Sequence, residues 1–245
     1  MANFFIIGAT STIAGAITKQ LLNHGHQLGL CGRDALKTET IAHEVNAPFF
    51  IADAANFAAL DQAFEQYINT VGQIDGVVNC AGSLLLKTAE ATDETEYLSV
   101  IESNLTTAFA TVHAAQKHMG KQGGSVLLIS SAAALTGLPN HEAIAAAKAG
   151  IIGLTAAAAA SSASKNLRFN ALAPGLVNTH LTHKMLSTPQ ALLYSEALHP
   201  LGRIGTVEDI ARAAYFFLNP ENSWITGQVL AVDGGLSAIK PKPKR

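Results

Sequence analysis

Between an apolar run and a helix-length segment the chain reads Gly8-Ala-Thr-Ser-Thr-Ile-Ala-Gly15. Small residues at such a junction let backbone N–H groups approach a pyrophosphate at the positive end of a helix. Gly8 matches the first glycine of a dinucleotide fingerprint, while Thr12 and Ala14 stand at its two later glycine positions. Ala is tolerated there for helix packing, and Thr12 brings a hydroxyl toward the phosphates. Thr10, Ser11 and Ile13 complete the expected cradle. From this segment alone, an ordinary tight strand-to-helix turn would look the same. The next β-type run ends in Leu30-Cys-Gly-Arg-Asp34. A site that selects NAD places a carboxylate there for the ribose 2′-OH, and one that selects NADP places a cation for the 2′-phosphate. Gly32 stands where the acid would be and Arg33 follows, which favours NADP(H); otherwise Arg33 is a solvated turn residue beside Asp34. Asp53, at the end of the third run, is placed to accept from an adenine amino group, or equally to cap a turn.

A second pair suits acid–base chemistry. His141 precedes Lys148 by seven residues, and two helical turns bring their side chains to within about 20° around the axis. A histidine titrates near neutrality, and such a group contributes roughly 10²- to 10⁴-fold when it reaches a substrate. The other reading of Asn140-His141-Glu142 is a helix N-terminus, with Asn140 as cap, Glu142 favoured by the dipole and His141 in a cap or packing role. The remaining histidines show no ligand spacing with carboxylates and read as surface or helix-end residues, although His180 and His183 fall in a segment that would cover a site.

These groups need a scaffold. Short apolar runs at 4–7, 27–31, 48–51, 76–79, 125–130, 168–173 and 228–232 are bounded by Gly, Pro, Asn or Asp and read as strands. Helix-length segments lie between them at 14–24, 34–45, 56–70, 92–118, 141–164 and 207–218, the last preceded by a less regular 176–206. Strands alternating with helices demand right-handed crossovers, hence an α/β fold: a doubly wound parallel sheet of about seven strands with helices on both faces. No linker or repeat divides it, so residues 1–239 are expected to form one domain, followed by a basic mobile tail at 240–245.

Composition removes other classes. The 245 residues are 49% apolar and 14% charged, ample for a continuous core. Sixteen Lys and Arg against 18 Asp and Glu give 16 − 18 = −2, so no nucleic acid or anionic membrane surface is expected as partner. Cys31 and Cys80 cannot form a disulfide framework, and no cluster suggests a metal. The first basic side chain is Lys19, so the start lacks a secretory signal's charge. The apolar stretch 143–160 carries Lys148 and is built from Ala and Gly, which suits a closely packed helix rather than a membrane span. A cytoplasmic protein is expected.

The residues then resemble the short-chain dehydrogenase/reductase family, in its bacterial acyl-carrier-protein reductase-like branch. The resemblance covers about residues 3–238 and rests on ordered motifs: the Gly8 turn, Asn79-Cys-Ala-Gly82, Asn104 in Glu102-Ser-Asn-Leu-Thr, Ile129-Ser-Ser131, Lys148, Pro174-Gly175 with Thr179, and Val232-Asp-Gly-Gly235. It implies a Rossmann-type fold and a homotetramer or dimer in which the Ala-rich 141–164 helix packs against partners. It also implies that Asn79, Ala81 and Gly82 support the sheet edge beside the cofactor, and that Pro174, Gly175, Val177 and Thr179 approach the nicotinamide end.

In that family a Tyr moves the substrate proton, a Lys four residues later lowers its pKa and holds the ribose, a Ser orients the carbonyl and an Asn supports a proton relay. Ser131, Asn104 and Lys148 match, but Ile144 stands at the tyrosine's position. The thirteen-residue spacing from Ser131 is intact, so the substitution is genuine. Isoleucine cannot move a proton. Of the four tyrosines only Tyr194, in the covering segment, has a route to the pocket. Enoyl-reductase relatives carry their Tyr seven residues before the Lys, where this chain has His141. Two functions follow. One is an NADP(H)-dependent oxidoreductase acting on a small carbonyl or activated alkene, with His141 as proton donor. The other is an inactive dinucleotide-binding homologue acting as sensor or partner subunit.

Overall fold

A computed structural model describes residues 1–240. The seven apolar runs form β1 (Asn3–Ile7), β2 (Gln27–Gly32), β3 (Phe49–Ile51), β4 (Gly76–Asn79), β5 (Gly124–Ile129), β6 (Leu167–Pro174) and β7 (Val229–Val232). They pair in one parallel sheet, ordered β3-β2-β1-β4-β5-β6-β7. Because both faces are covered, the central strands are apolar at nearly every position. β1 shows the division: Phe5 and Ile7 enter one core with Phe64, Tyr67 and Phe169, while Phe4 and Ile6 enter the other with Leu30, Leu127 and Phe217. The strand order reverses between β1 and β4, which opens a crevice at the carboxyl ends of the strands.

The helices are α1 (Thr12–Asn23), α2 (Ala35–Glu44), α3 (Phe57–Val71), α4 (Glu94–Ile101), α5 (Thr107–His118), α6 (Glu142–Ser162), α7 (Pro189–Leu198) and α8 (Val207–Leu218). Three departures from expectation concern the site. The segment 92–118 is not one α-helix: a π-turn, Glu102–Thr106, separates α4 from α5, and the Thr107 N–H reaches back to the Glu102 carbonyl. Asn104 sits inside it. The region 176–206 contains α7, started by Thr188 as cap with Pro189 in the first turn.

The third departure is at the start of α6. Asn140 is not the cap; it has a left-handed backbone (φ 63). His141 takes the N-cap position, with non-helical φ −113 and ψ 14, and makes no capping bond. The helical angle that placed His141 and Lys148 on one face therefore does not apply, because regular geometry begins only at Glu142.

By length and composition α6 is apolar enough to cross a membrane. In this fold it packs along β6 and α5, with Lys148, Thr155 and Ser162 on its buried face. The expected basic tail lies outside the described residues except for Lys240, which is exposed.

Candidate active site

The crevice begins at the Gly8 turn. Gly8 has φ 72, and a Cβ there would lie 2.5 Å from the Ala81 nitrogen, so the β1 turn lies directly on the β4 loop. Only glycine fits on both counts. Ser11 caps α1 by accepting from the Ala14 N–H at 3.2 Å. Thr12 Oγ1 accepts from the His180 N–H at 3.2 Å, so the hydroxyl expected to face phosphates joins α1 to the covering segment.

At the end of β2 the absent carboxylate has a steric explanation. A Cβ on Gly32 would collide with the Thr38 hydroxyl. Thr38 is fully buried and donates to the Asp34 carbonyl at 2.7 Å. Thr38 thus fills the room an acid at position 32 would need, a role sequence reasoning missed. Asp34 caps α2 at the Lys37 N–H and pairs with Lys37 Nζ at 3.2 Å. Those contacts hold its carboxyl below the usual range, the backbone bond first. Among the described residues no carboxylate pairs with the exposed Arg33. Arg33, Asp53, Gly8, Thr10 and Ser11 line one hollow of about 240 Å³. Asp53 also accepts from the Ala55 N–H at 2.9 Å, so its turn role is present as well.

The hollow continues past Cys80, Ala81 and Gly82 into a second of about 330 Å³, lined by Thr12, Ile13, Asn104, Ser131, Ile144 and Lys148, with Pro174, Gly175, Val177 and Thr179 beyond. Asn79 braces this junction: its Nδ2 donates to Thr111 Oγ1 at 3.0 Å and its Oδ1 accepts from the Ala81 N–H at 2.8 Å. Asn104 is buried, donates to the Val100 carbonyl at 2.9 Å and accepts from the Ser83 N–H at 3.3 Å. A Cβ on Gly82 would lie 2.8 Å from Asn104 Oδ1 and 3.5 Å from Lys148 Nζ, so these two groups meet at one bare backbone position.

Lys148 Nζ donates to the Ile129 carbonyl at 2.8 Å. The Lys148 carbonyl accepts from Ser130 Oγ at 2.8 Å, which ties the end of β5 to α6, a role that the Ile129-Ser-Ser131 motif did not assign to Ser130. Burial lowers the Lys148 ammonium to about 8, with neighbouring Cys80 acting weakly the other way. Burial likewise pushes the Cys80 thiol up to about 12.

A third chamber, of about 420 Å³, opens on the outer side of Ser131, Ile144, Pro174 and Gly175. His141 and Tyr194 line it, Lys148 does not, and among the described residues no Lys, Arg, Asp or Glu does. His141 thus shares this chamber with Ser131 and does not line the hollow that holds Lys148. His141 Nδ1 lies 2.7 Å from the Pro139 carbonyl. A carbonyl only accepts, so Nδ1 carries the hydrogen and Nε2 is where a proton is gained or lost. Ile144 is buried with Val100, Ala143 and Ala147 and walls both chambers. Of the remaining histidines, His199 is a helix-end residue, the C-cap of α7, and a buried one: it is 3% exposed and borders the outer chamber.

Comparisons with known proteins agree with this architecture. The family described as Enoyl-(Acyl carrier protein) reductase matches residues 8–237. The chain is 34% identical to the 3-oxoacyl-[acyl-carrier-protein] reductase FabG of Chlamydia muridarum, over 95% of this chain and 96% of that protein. It is 32% identical to a protein of Xanthobacter autotrophicus named inactive 2-(S)-hydroxypropyl-CoM dehydrogenase 2, over 88% and 96%. Among solved structures, ElxO with NADP bound superposes with a TM-score of 0.91 at 29% identity, covering 97% of this chain and 99% of that one. With the reversed strand order, the joined hollows and these relatives in view, the chain belongs to the short-chain dehydrogenase/reductase family of NAD(P)-dependent oxidoreductases, in its 3-oxoacyl-acyl-carrier-protein reductase-like branch.

Proposed function

We propose that the chain is an NADP(H)-dependent reductase of a small uncharged carbonyl compound, or the reverse dehydrogenase, with His141 in the proton-donating role that Ile144 cannot fill. The observation that carries this reading is the continuous groove from Arg33, past the Gly8 turn, to Lys148 and Ser131, and on into the outer chamber.

The residues fit a nicotinamide dinucleotide. The bare Gly8 turn lies against the Ala81 backbone at the floor of the Arg33 hollow, and Gly32 with Thr38 leaves no room for a ribose-binding acid while Arg33 has no carboxylate partner among the described residues. When bound, that group supplies or accepts the hydride. Arg33 holds the 2′-phosphate, and the amides of the Gly8 turn face the pyrophosphate. Lys148 holds the nicotinamide ribose. Ser131 donates to the substrate oxygen, His141 delivers a proton from Nε2 on the outer side of Ser131, and Asn104 orders water toward Lys148. A chamber without fixed charges accepts a neutral carbonyl compound, since a buried unpaired carboxylate or phosphate would be strongly disfavoured. The half-exposed apolar surface of α6 supports assembly into a homotetramer or dimer, and a cytoplasmic location fits this reading.

The test is NADPH oxidation across β-ketoacyl, quinone, sugar, steroid and enoyl substrates, with wild type and His141→Ala. Turnover that falls by roughly 10²-fold or more with unchanged NADPH affinity is expected. Unchanged turnover would remove His141 from the mechanism. A second reading has its own observation: Ile144 buries a hydrocarbon wall where the family's proton donor stands, and one relative carries a name marking it inactive. Tight NADPH binding without turnover on any substrate class would favour that sensor or partner-subunit role.

A further inference from the structure

His199 sits where three segments meet: the end of α7, the residues that follow β6, and the turn after β7. Its Nδ1 lies 2.7 Å from the Ser195 carbonyl, and the Leu176 N–H donates to its Nε2 at 3.2 Å. The carbonyl only accepts and the amide only donates, so the ring is neutral with its hydrogen on Nδ1. The imidazole also takes the place of a side chain. A Cβ on Gly175 would lie 2.9 Å from His199 Nε2 and 2.9 Å from Asp233 Cα. Gly175 lines both the cofactor-side hollow and the outer chamber, so the ring fixes a wall common to both. The nearest carboxylate, Asp233, is itself held by the Gly235 N–H at 2.9 Å and by Ser237.

We infer that His199 is a positioning residue that locks covering helix α7 to Gly175–Leu176, and so sets the spacing between the cofactor side and the substrate side of the groove. The inference rests on the functional reading only for what occupies the two sides; the lock itself does not depend on it.

Three variants separate its parts in the full chain. His199→Gln can keep an acceptor for the Leu176 N–H, His199→Asn can keep a donor to the Ser195 carbonyl, and His199→Leu keeps neither. Amide exchange is expected to quicken by about tenfold or more at both Leu176 and 189–198 in the Leu variant. In the Gln variant Leu176 stays protected while 189–198 quickens, and in the Asn variant the pattern reverses. NADPH affinity follows Leu176: close to wild type in Gln and about tenfold weaker in Asn and Leu. Long-range ¹H–¹⁵N correlation on the wild type supplies a check that needs no variant to fold, and a neutral ring with its hydrogen on Nδ1 is expected. A hydrogen on Nε2, or a Leu variant that melts earlier with exchange at both segments unchanged, would overturn the lock. A protein that shows the lock but binds no NADPH would instead count against the functional reading alone.

Discussion

The ammonium of Lys148 is held 2.8 Å from the main-chain carbonyl of Ile129, at the carboxyl end of the sheet. A carbonyl satisfies a hydrogen but does not neutralise the charge, so burial lowers this group from 10.5 to about 8. The folded protein then gives up the proton before the unfolded chain does. From about 8 to 10.5 the unfolded chain binds more protons, and the stability contributed by this residue rises with pH. The melting temperature of wild type relative to Lys148→Met is expected to climb across that window. A difference that stays flat would mean that Lys148 titrates as an exposed lysine.

The proposed function assigns cofactor choice to Arg33. Losing a charge-assisted contact to a phosphate costs about 1.5–3 kcal/mol, or roughly tenfold to a hundredfold in affinity. Arg33→Ala is therefore expected to weaken NADPH binding by that factor and leave NADH binding nearly unchanged. Calorimetric titration of both nucleotides measures it, and parallel losses would assign Arg33 to the solvated turn instead.

Ile144 walls the hollow that contains Ser131 and Lys148. Ile144→Tyr would direct a phenol into that hollow, four residues before the lysine. An increase in carbonyl reduction of roughly 10²- to 10⁴-fold is expected, together with loss of dependence on His141. Steady-state rates of the single and double variants test this; a Tyr variant that still needs His141 would contradict it.

The Cys80 thiol, pushed up to about 12 by burial, lines both the hollow beside Arg33 and the one beside Lys148. Near neutrality only on the order of 10⁻⁵ of it is thiolate, the reactive form. Slow alkylation that accelerates with pH is expected, with NADPH protecting Cys80. Mass spectrometry of the labelled peptide reads both effects, and fast labelling unaffected by NADPH would place the thiol outside the groove.

The strands were legible because a sheet covered on both faces needs unbroken apolar runs, as at Phe4–Ile7 and Val126–Ile129. The Gly8 turn was legible because backbone crowding against Ala81 restricts the position to one residue type. Other features depend on contacts far apart in sequence. Thr38 matters only because α2 folds back over Gly32, and His199 only because α7 meets Leu176. The geometry of His141 was misread for a local reason: the left-handed backbone at Asn140 delays the start of α6, and a spacing rule assumes that the helix has already begun.

The π-turn at Glu102–Thr106 has a further effect. It adds one residue to a single turn, and one residue is about 100° of rotation. α4 therefore offers Val100 to Ile144, while α5 offers Ala114 and Ala115 to the core beneath the sheet. An unbroken α-helix running through both segments would have to turn one of those faces away. The segment works as a phase shifter, and what it holds constant is a residue count: shortening it by one would rotate every contact of α5 while leaving the composition almost untouched.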